Sequence, residues 1–455
     1  MKADGGGLAK GIAYNAKLAF IDIGRSDGSL ITPDVTRLLN TGSPYAQIHS
    51  ASWGGGYAGY GLMSYFFDAY TYENDELLVF IAAGNSGRDD AAQTVGEPAT
   101  AKNILAVGSS HSFGKDLSND MLGPAYISDF SSRGPTLDGR TKPEIIAPGQ
   151  WISSAGARPE QVGECDPSEA PGPNERRDGL ASFQGTSMAT PITAGTAALI
   201  RQYLREGFYP TGERNETNAI SHPSSALIKA ILLNGAQYLK GVDNNGKITD
   251  VSPYDNTQNF GRVSLVDSLF IKDKTNIKIY LKDREVITDG ETKPYDTITI
   301  DMSGGCTAST FSVTLVWTDL PGLAGCANCL INDLDLFVIK NGDDGITYYP
   351  NGLSTKDSKN NAERVRIEDV KDKDTFSIFV KGDVVLDVQQ YALVATGCFP
   401  GSTFNDGSAA RSGNVYDDDT SAEERLNTWT IFGISVAVMI AVVFAGICGG
   451  YYFQK

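Results

Sequence analysis

Residues 185–191 read Gly185-Thr186-Ser187-Met188-Ala189-Thr190-Pro191 and lead into an apolar, alanine-rich segment that runs to Leu204. The segment Ser187–Leu204 has the length and apolar spacing of a helix, which places Ser187 at its opening. Small neighbours let another backbone approach the serine, and a helix N-terminus favours negative charge developing nearby. Pro191 is expected within the first turn, where N–H groups have no intrahelical partner to lose. A serine in such a place is, taken alone, an ordinary N-cap. What makes it a candidate nucleophile lies upstream.

Ala83-Gly84-Asn85-Ser86-Gly87 closes an apolar run with an amide side chain in a glycine-rich turn. An amide there can donate a hydrogen bond to an oxyanion, although an isolated turn asparagine has no such role. Ser52-Trp53-Gly54-Gly55-Gly56 follows another apolar stretch, and its exposed backbone is suited to pairing with an extended peptide. Around these motifs, short apolar runs alternate with helical patterns. Lys17–Ile23, Glu76–Ala82 and Ile104–Val107 read as buried parallel strands, and Leu62–Tyr72, Ser187–Leu204 and Ser224–Leu233 as helices. The alternation predicts an α/β domain with a parallel sheet over residues 1–273.

From residue 274 the pattern contains strands only. Ile277–Leu281, Thr297–Met302, Phe311–Trp317, Asp335–Lys340, Arg364–Glu368, Phe376–Lys381 and Tyr391–Thr396 are short and divided by Gly, Asp and Asn. They predict an all-β sandwich or jelly roll over residues 274–400.

The serine, asparagine and Ser-Trp-Gly motifs, in this order, resemble those of the subtilisin-like serine proteases (peptidase S8). Glu97-Pro98-Ala99-Thr100-Ala101-Lys102-Asn103, Phe130–Pro135 and Lys142–Gly149 resemble that family's linking segments. The resemblance covers about Gly11 to Leu204 and extends towards Leu269. Val316-Trp317-Thr318-Asp319 and Asn332-Asp333-Leu334-Asp335 are similar to the jelly-roll domain that follows the catalytic domain in one branch of the family. The resemblance implies an endopeptidase acting on peptide or protein substrates. Ser187 would be the nucleophile, and the Asn85 amide with the Ser187 backbone N–H would form the oxyanion hole. Ser52, Trp53, Gly54 and Gly84 would bind substrate. No cofactor is implied. Structural Ca²⁺ is permitted, with Asp333, Asp335, Asp343 and Asp344 as oxygen donors, but no loop has EF-hand spacing and solvated turn acids are the simpler reading.

One part of the family pattern is missing. Its chain order is Asp, His, Ser, with the first two in Asp-Thr/Ser-Gly and His-Gly-Thr-His motifs, and neither motif occurs here. Asp22-Ile23-Gly24 imitates the first, and His49 lies between it and Ser187, so a substitute triad can be written down. His49 belongs, however, to the strand leading into Ser52-Trp53-Gly54 and reads as structural, and His111 and His222 stand in turn-like contexts. The expectation is that the aligned sequence starts just after the catalytic His, so that an upstream portion would carry the Asp, the His and any leader. Residues 1–455 alone are then expected to lack useful protease activity, because the serine has no base. The alternative is a membrane-anchored pseudoprotease that binds peptides or proteins.

The chain has 455 residues, 38 Lys+Arg against 55 Asp+Glu, and a net charge of −17, which argues against a nucleic-acid partner. Residues 401–428 read as a polar stalk, and residues 429–450 as a transmembrane helix of sufficient length flanked by Trp429, Tyr451 and Tyr452. Residues 451–455 form a short tail. This predicts a single-pass membrane protein with an extracellular or lumenal ectodomain. Met1–Gly7 holds no apolar signal-peptide core, which leaves a cytosol-facing tail-anchored form as the other topology. The five cysteines outside the span, at 165, 306, 326, 329 and 398, are odd in number, and an oxidised ectodomain would hold a pair such as Cys306–Cys398, with the full pairing open. Cys326-x-x-Cys329 has no second CxxC or histidine nearby to make a zinc site.

Overall fold

The computed structural model describes residues 11–400 apart from 25–28, 30, 32–33, 113–122, 156–174, 177–179, 245 and 343–344. The stalk, transmembrane helix and tail expected at 401–428, 429–450 and 451–455 lie outside the described residues, as do Asp343, Asp344, Cys165 and Cys448. Among the described residues no helix is long and apolar enough to cross a membrane.

The first half is built on a seven-stranded sheet. Its strands are β1 (Ile48–Ala51), β2 (Leu78–Ala82), β3 (Leu105–Ser110), β4 (Tyr126–Ser128), β5 (Ile145–Pro148), β9 (Gly241–Asn244) and β10 (Lys247–Thr249). Between β5 and β9 the chain forms a small antiparallel sheet from β6 (Ile152–Ala155), β7 (Glu175–Arg176) and β8 (Leu180–Phe183). Strands β1, β2, β3 and β5 are mutually parallel along the order β1-β2-β3-β5, and β4 is antiparallel to β3. Four helices accompany them: α1 (Val35–Gly42), α2 (Leu62–Glu73), α3 (Thr186–Arg205) and α4 (Ser225–Asn234).

The continuous apolar run of β2 is explained by burial on both faces. Leu78 and Phe80 join the core under α3 and α4, whereas Val79 and Ile81 join a second core with Val35 and Leu39 of α1 and Phe67 of α2. Capping fixes the helix starts. Asp34 accepts from the Arg37 N–H at 2.7 Å, and Ser224 accepts from the Leu227 N–H at 3.0 Å.

The second half is a pair of antiparallel sheets. One has the order β11 (Lys278–Thr288), β19 (Val388–Gly397), β14 (Phe311–Trp317), β17 (Ala362–Ile367). The other has the order β12 (Thr292–Pro294), β18 (Thr375–Val384), β15 (Asp333–Lys340), β16 (Thr347–Tyr348), with β13 (Ile298–Thr299) also on β18. Their inner faces meet through Val313, Leu315, Trp317, Leu334, Leu336 and Ile378. The outer face of the four-stranded sheet packs on α4, since Val316, Ala362, Ala392 and Val394 share a core with Leu227 and Ile231. At the end of α4 the buried Arg364 guanidinium donates to the carbonyls of Leu233 at 2.7 Å, Ala236 at 3.0 Å and Phe260 at 2.9 Å, which satisfies groups a helix end leaves open.

The largest difference from the sequence expectation is Lys17–Ile23. It is not a buried strand: it forms no ladder with the sheet, and residues 17–20 are exposed. An apolar run becomes a buried parallel strand only where both of its edges find partners, and none flanks it among the described residues. The sequence pattern also passed over α1, β12 and β16, which are too short for a clear period. Cys306 and Cys398 form a disulfide, and Cys326 and Cys329 close a second one across a tight turn.

Candidate active site

Ser187 is the second residue of α3 and is half-buried. Its entry corner is Gly185, whose φ of 153° admits glycine and few other residues. The site is assembled at the end of β2, where Gly84 (φ 109°) turns the chain beneath the serine. A Cβ on Gly84 would meet the Ser132 hydroxyl at 2.7 Å.

Asn85 is held by one residue that the sequence motifs did not single out. Thr186 donates its backbone N–H to Asn85 Oδ1 at 2.8 Å and its hydroxyl to the same oxygen at 3.1 Å. The Thr186 hydroxyl in turn accepts from the Gly84 N–H at 3.2 Å. Donation to Oδ1 assigns the amide orientation, so Nδ2 is the edge left to act as donor. That edge lies beside the serine corner, since a Cβ built on Gly185 would sit 3.4 Å from Asn85 Nδ2.

Ser52 lies next to Ser187, through a contact that the sequence analysis did not anticipate. Because α3 begins at Thr186, Pro191 is the sixth helical residue and not part of the first turn as expected. An α-helix would pair the N–H of residue 191 with the carbonyl of Ser187, and proline has no N–H. The Ser52 hydroxyl donates to that carbonyl at 3.0 Å instead. The signal was present, in a proline four residues after the serine. Beyond Ser52, Trp53 is half-buried with its ring 6.3 Å from Phe67, and Gly54, Gly55 and Gly56 are exposed. The Gly55 N–H donates to the Glu97 carbonyl at 2.7 Å, fixing the course of this segment.

The histidines are placed elsewhere. His49 pairs in register with Val79 of β2, and Val79 belongs to the core shared with α1 and α2, on the face of the sheet opposite α3. Its Nε2 is buried and has no hydrogen-bond partner, and burial pushes its pKa down to about 4. Asp22 is exposed and accepts from the Gly24 N–H at 2.8 Å. The substitute triad of Asp22, His49 and Ser187 is therefore not assembled. His111 is buried 3.6 Å from Asp243, with burial lowering its pKa, and the exposed His222 contacts Glu76 at 2.8 Å.

Of the residues considered for calcium, Asp333 and Asp335 stand on β15. Asp333 pairs with Lys356 at 3.5 Å. Among the described residues no group of three or more His, Cys, Asp or Glu is arranged to hold a metal ion.

The model of the Subtilase family matches residues 1–261. The chain is 26% identical over 499 residues to the serine protease/ABC transporter B family protein tagB of Dictyostelium discoideum, covering 85% of this chain and 26% of that protein. It is 38% identical over 126 residues to the serine protease AprX of Bacillus subtilis, covering 28% of this chain and 26% of that protein. The chain thus spans about a quarter of the length of these curated relatives. Among solved structures it matches sphericase at 22% identity and a TM-score of 0.28, covering 48% of this chain and 56% of that one.

Proposed function

The chain belongs to the subtilase family, and on that premise we propose that it is part of a serine endopeptidase in which Ser187 attacks the scissile carbonyl. Asn85 Nδ2 and the Ser187 backbone N–H would hold the oxyanion, and Ser52, Trp53, Gly54 and Gly84 would seat an extended peptide. The observation that carries this reading is the double anchoring of Asn85 Oδ1 by Thr186, which leaves Nδ2 beside Gly185. A donor fixed before the reaction stabilises developing charge without reorganising.

The general base is the missing role. His49 faces the other side of the sheet, and His111 and His222 are engaged with Asp243 and Glu76. We infer that the base is supplied by a segment other than residues 11–400. A fluorophosphonate probe tests both parts. This chain alone should resist labelling, and a longer product carrying Asp-Thr-Gly and His-Gly-Thr-His segments should label in a way that Ser187→Ala abolishes. Strong labelling of this chain alone sinks the inference about the base. Labelling of the longer product that survives Ser187→Ala sinks the assignment of the nucleophile. An in-frame stop just before Met1 in the transcript would favour the second reading, a pseudoprotease that only binds peptides.

The division into residues 1–273 and 274–400 is part of the proposal, as is anchoring through 429–450 with a lumenal or extracellular ectodomain. Asn215, in an exposed Asn-Glu-Thr sequon, reports on that topology. Glycosylation there, read as a shift on enzymatic deglycosylation, is expected. An unglycosylated, protease-accessible chain on the cytosolic face would overturn it.

A further inference from the structure

The groove proposed above begins at Ser52, beside Ser187, and runs away from it along Trp53–Gly56 into the loop Tyr57–Tyr60. That loop is gripped from two sides. The Leu137 N–H donates to the Ala58 carbonyl at 3.1 Å. From the sandwich, the Gly325 N–H donates to the Tyr60 carbonyl at 2.7 Å and the Gly322 N–H to the Tyr60 hydroxyl at 3.2 Å. Tyr60 is itself tied to Asp68 of α2 at 2.8 Å. The turn that reaches across is closed by the Cys326–Cys329 disulfide and by the Cys326 N–H donating to the Leu323 carbonyl at 3.0 Å.

At its tip Leu323 is 79% exposed. Around the gripped loop Tyr57, Leu137 and Leu62, the first residue of α2, are also more than half exposed. Large apolar side chains scattered singly need no explanation. These four, however, stand on three segments bonded to one another, continuous with the groove.

Resting on the peptide-groove reading, we propose that the disulfide-closed turn of the sandwich forms the far wall of the groove. Leu323 is its specificity-determining residue, and the occupant is an apolar side chain of an extended peptide substrate. The contact falls beyond the part of the peptide that lies along Ser52–Gly56, at a position remote from the scissile bond. This gives the sandwich a part in substrate selection. It also explains a short disulfide there, since a pre-ordered turn loses less entropy on binding than a loose one.

The test uses the whole chain with Ser187→Ala, so that no peptide is consumed. The probes are fluorescein-labelled decapeptides of Ser, Gly and Ala carrying a single Leu or Asp at each position in turn, read by fluorescence anisotropy. At one remote position Leu should bind about five- to tenfold tighter than Asp, the gain expected from partial burial of one leucine side chain. Leu323→Ser should erase that preference and leave the Asp peptide unchanged, with an unaltered melting curve because Leu323 buries little. Peptides that bind with a positional preference indifferent to both Leu323→Ser and Leu137→Ser would overturn the far-wall proposal and leave the groove standing. A chain that binds none of the peptides would overturn the groove and the far wall together.

Discussion

Glu144, beside the parallel sheet, and Glu363, in the sandwich, are both carboxylates withdrawn from water, but their surroundings differ. Glu144 accepts from the Ala106 N–H at 2.8 Å, binds the Lys142 ammonium directly and has Lys229 at 3.8 Å. Glu363 accepts from the Leu336 N–H at 2.5 Å, while its Oε1 has no partner. Burial raises the pKa of Glu363 well above the usual range, and Asp357, Asp335 and Asp333 push the same way. Nearby, Asp333 and Asp335 each keep a buried oxygen without a partner as well. The region that carries Ser187 thus neutralises this buried carboxylate with cations, and the sandwich crowds its own together. A site that must hold Asn85 in one orientation is served by the first arrangement, while the second makes stability depend on protonation.

Among the described residues two ion pairs join the regions, the part-exposed Asp75–Arg284 at 2.6 Å and the buried Lys102–Asp319, and breaking the buried one should have the largest effect. Lys102 and Asp319 are fully buried and bonded to each other. Lys102 also donates to the Leu320 carbonyl at 2.6 Å, and Asp319 accepts from the N–H groups of Ile331 and Asn332, each at 2.9 Å. Asp319→Ala leaves a buried ammonium without its counter-ion and should cost about 3–5 kcal/mol in urea unfolding. Adding Lys102→Met should recover most of it. A loss below about 1 kcal/mol would mean that the seam is hydrated and that each region folds without the other.

Within the α/β region the next largest effect is chemical. Asn85→Leu should slow fluorophosphonate labelling of the longer, base-containing form by about 100- to 1,000-fold, the size known for subtilisin's own oxyanion amide. Thr186→Val, which removes the hydroxyl but not the backbone N–H, should cost less. Equal losses in the two variants would mean that the hydroxyl alone orients the amide.

Opposite pH slopes sharpen the comparison further. Burial, with Asp333 alongside, pushes the Asp335 pKa up to about 6 from an ordinary carboxylate value. The folded state then binds the proton more tightly than the unfolded state, so this contribution is fully present below about pH 4 and is lost as pH rises through 6. For His49 burial lowers the pKa to about 4, so its contribution is present above about pH 6.5 and is lost as pH falls through 4. Asp335→Asn should therefore stabilise the protein near pH 7 by up to about 3 kcal/mol and flatten its melting temperature between pH 4 and 6. A variant as pH-sensitive as the parent would mean that Glu363 carries the effect.

How much of this was legible in the sequence follows from where the information resides. The strands flanking the site, Glu76–Ala82 and Ile104–Val107, were readable because burial on both faces leaves an unbroken apolar run. The sandwich strand Phe311–Trp317 was readable to the residue, bounded by polar turns. Lys17–Ile23 has the same local signature and is no strand, because pairing is decided by neighbours that a local pattern does not contain. The serine and asparagine motifs were visible as loops of small residues. Thr186 as the anchor of Asn85 was not, since a contact across a sequence separation of 101 residues leaves no periodicity. Nor was the unpaired state of Glu363, which depends on strands β15 and β17 meeting in space.

The smallest effect tests the link between the proposed groove and Ser187. Ser52→Ala removes the donor to the Ser187 carbonyl and should cost about 1 kcal/mol, a typical net hydrogen bond. If Ser52 is there because Pro191 offers no N–H, the loss is conditional on the proline. Pro191→Ala supplies the missing helical donor, so Ser52→Ala in that background should cost much less than in the parent. A double-mutant cycle in urea measures the difference as a coupling energy. Independent, additive losses would mean that the Ser187 carbonyl does not depend on which donor it receives. Ser52 would then matter only as backbone of the groove.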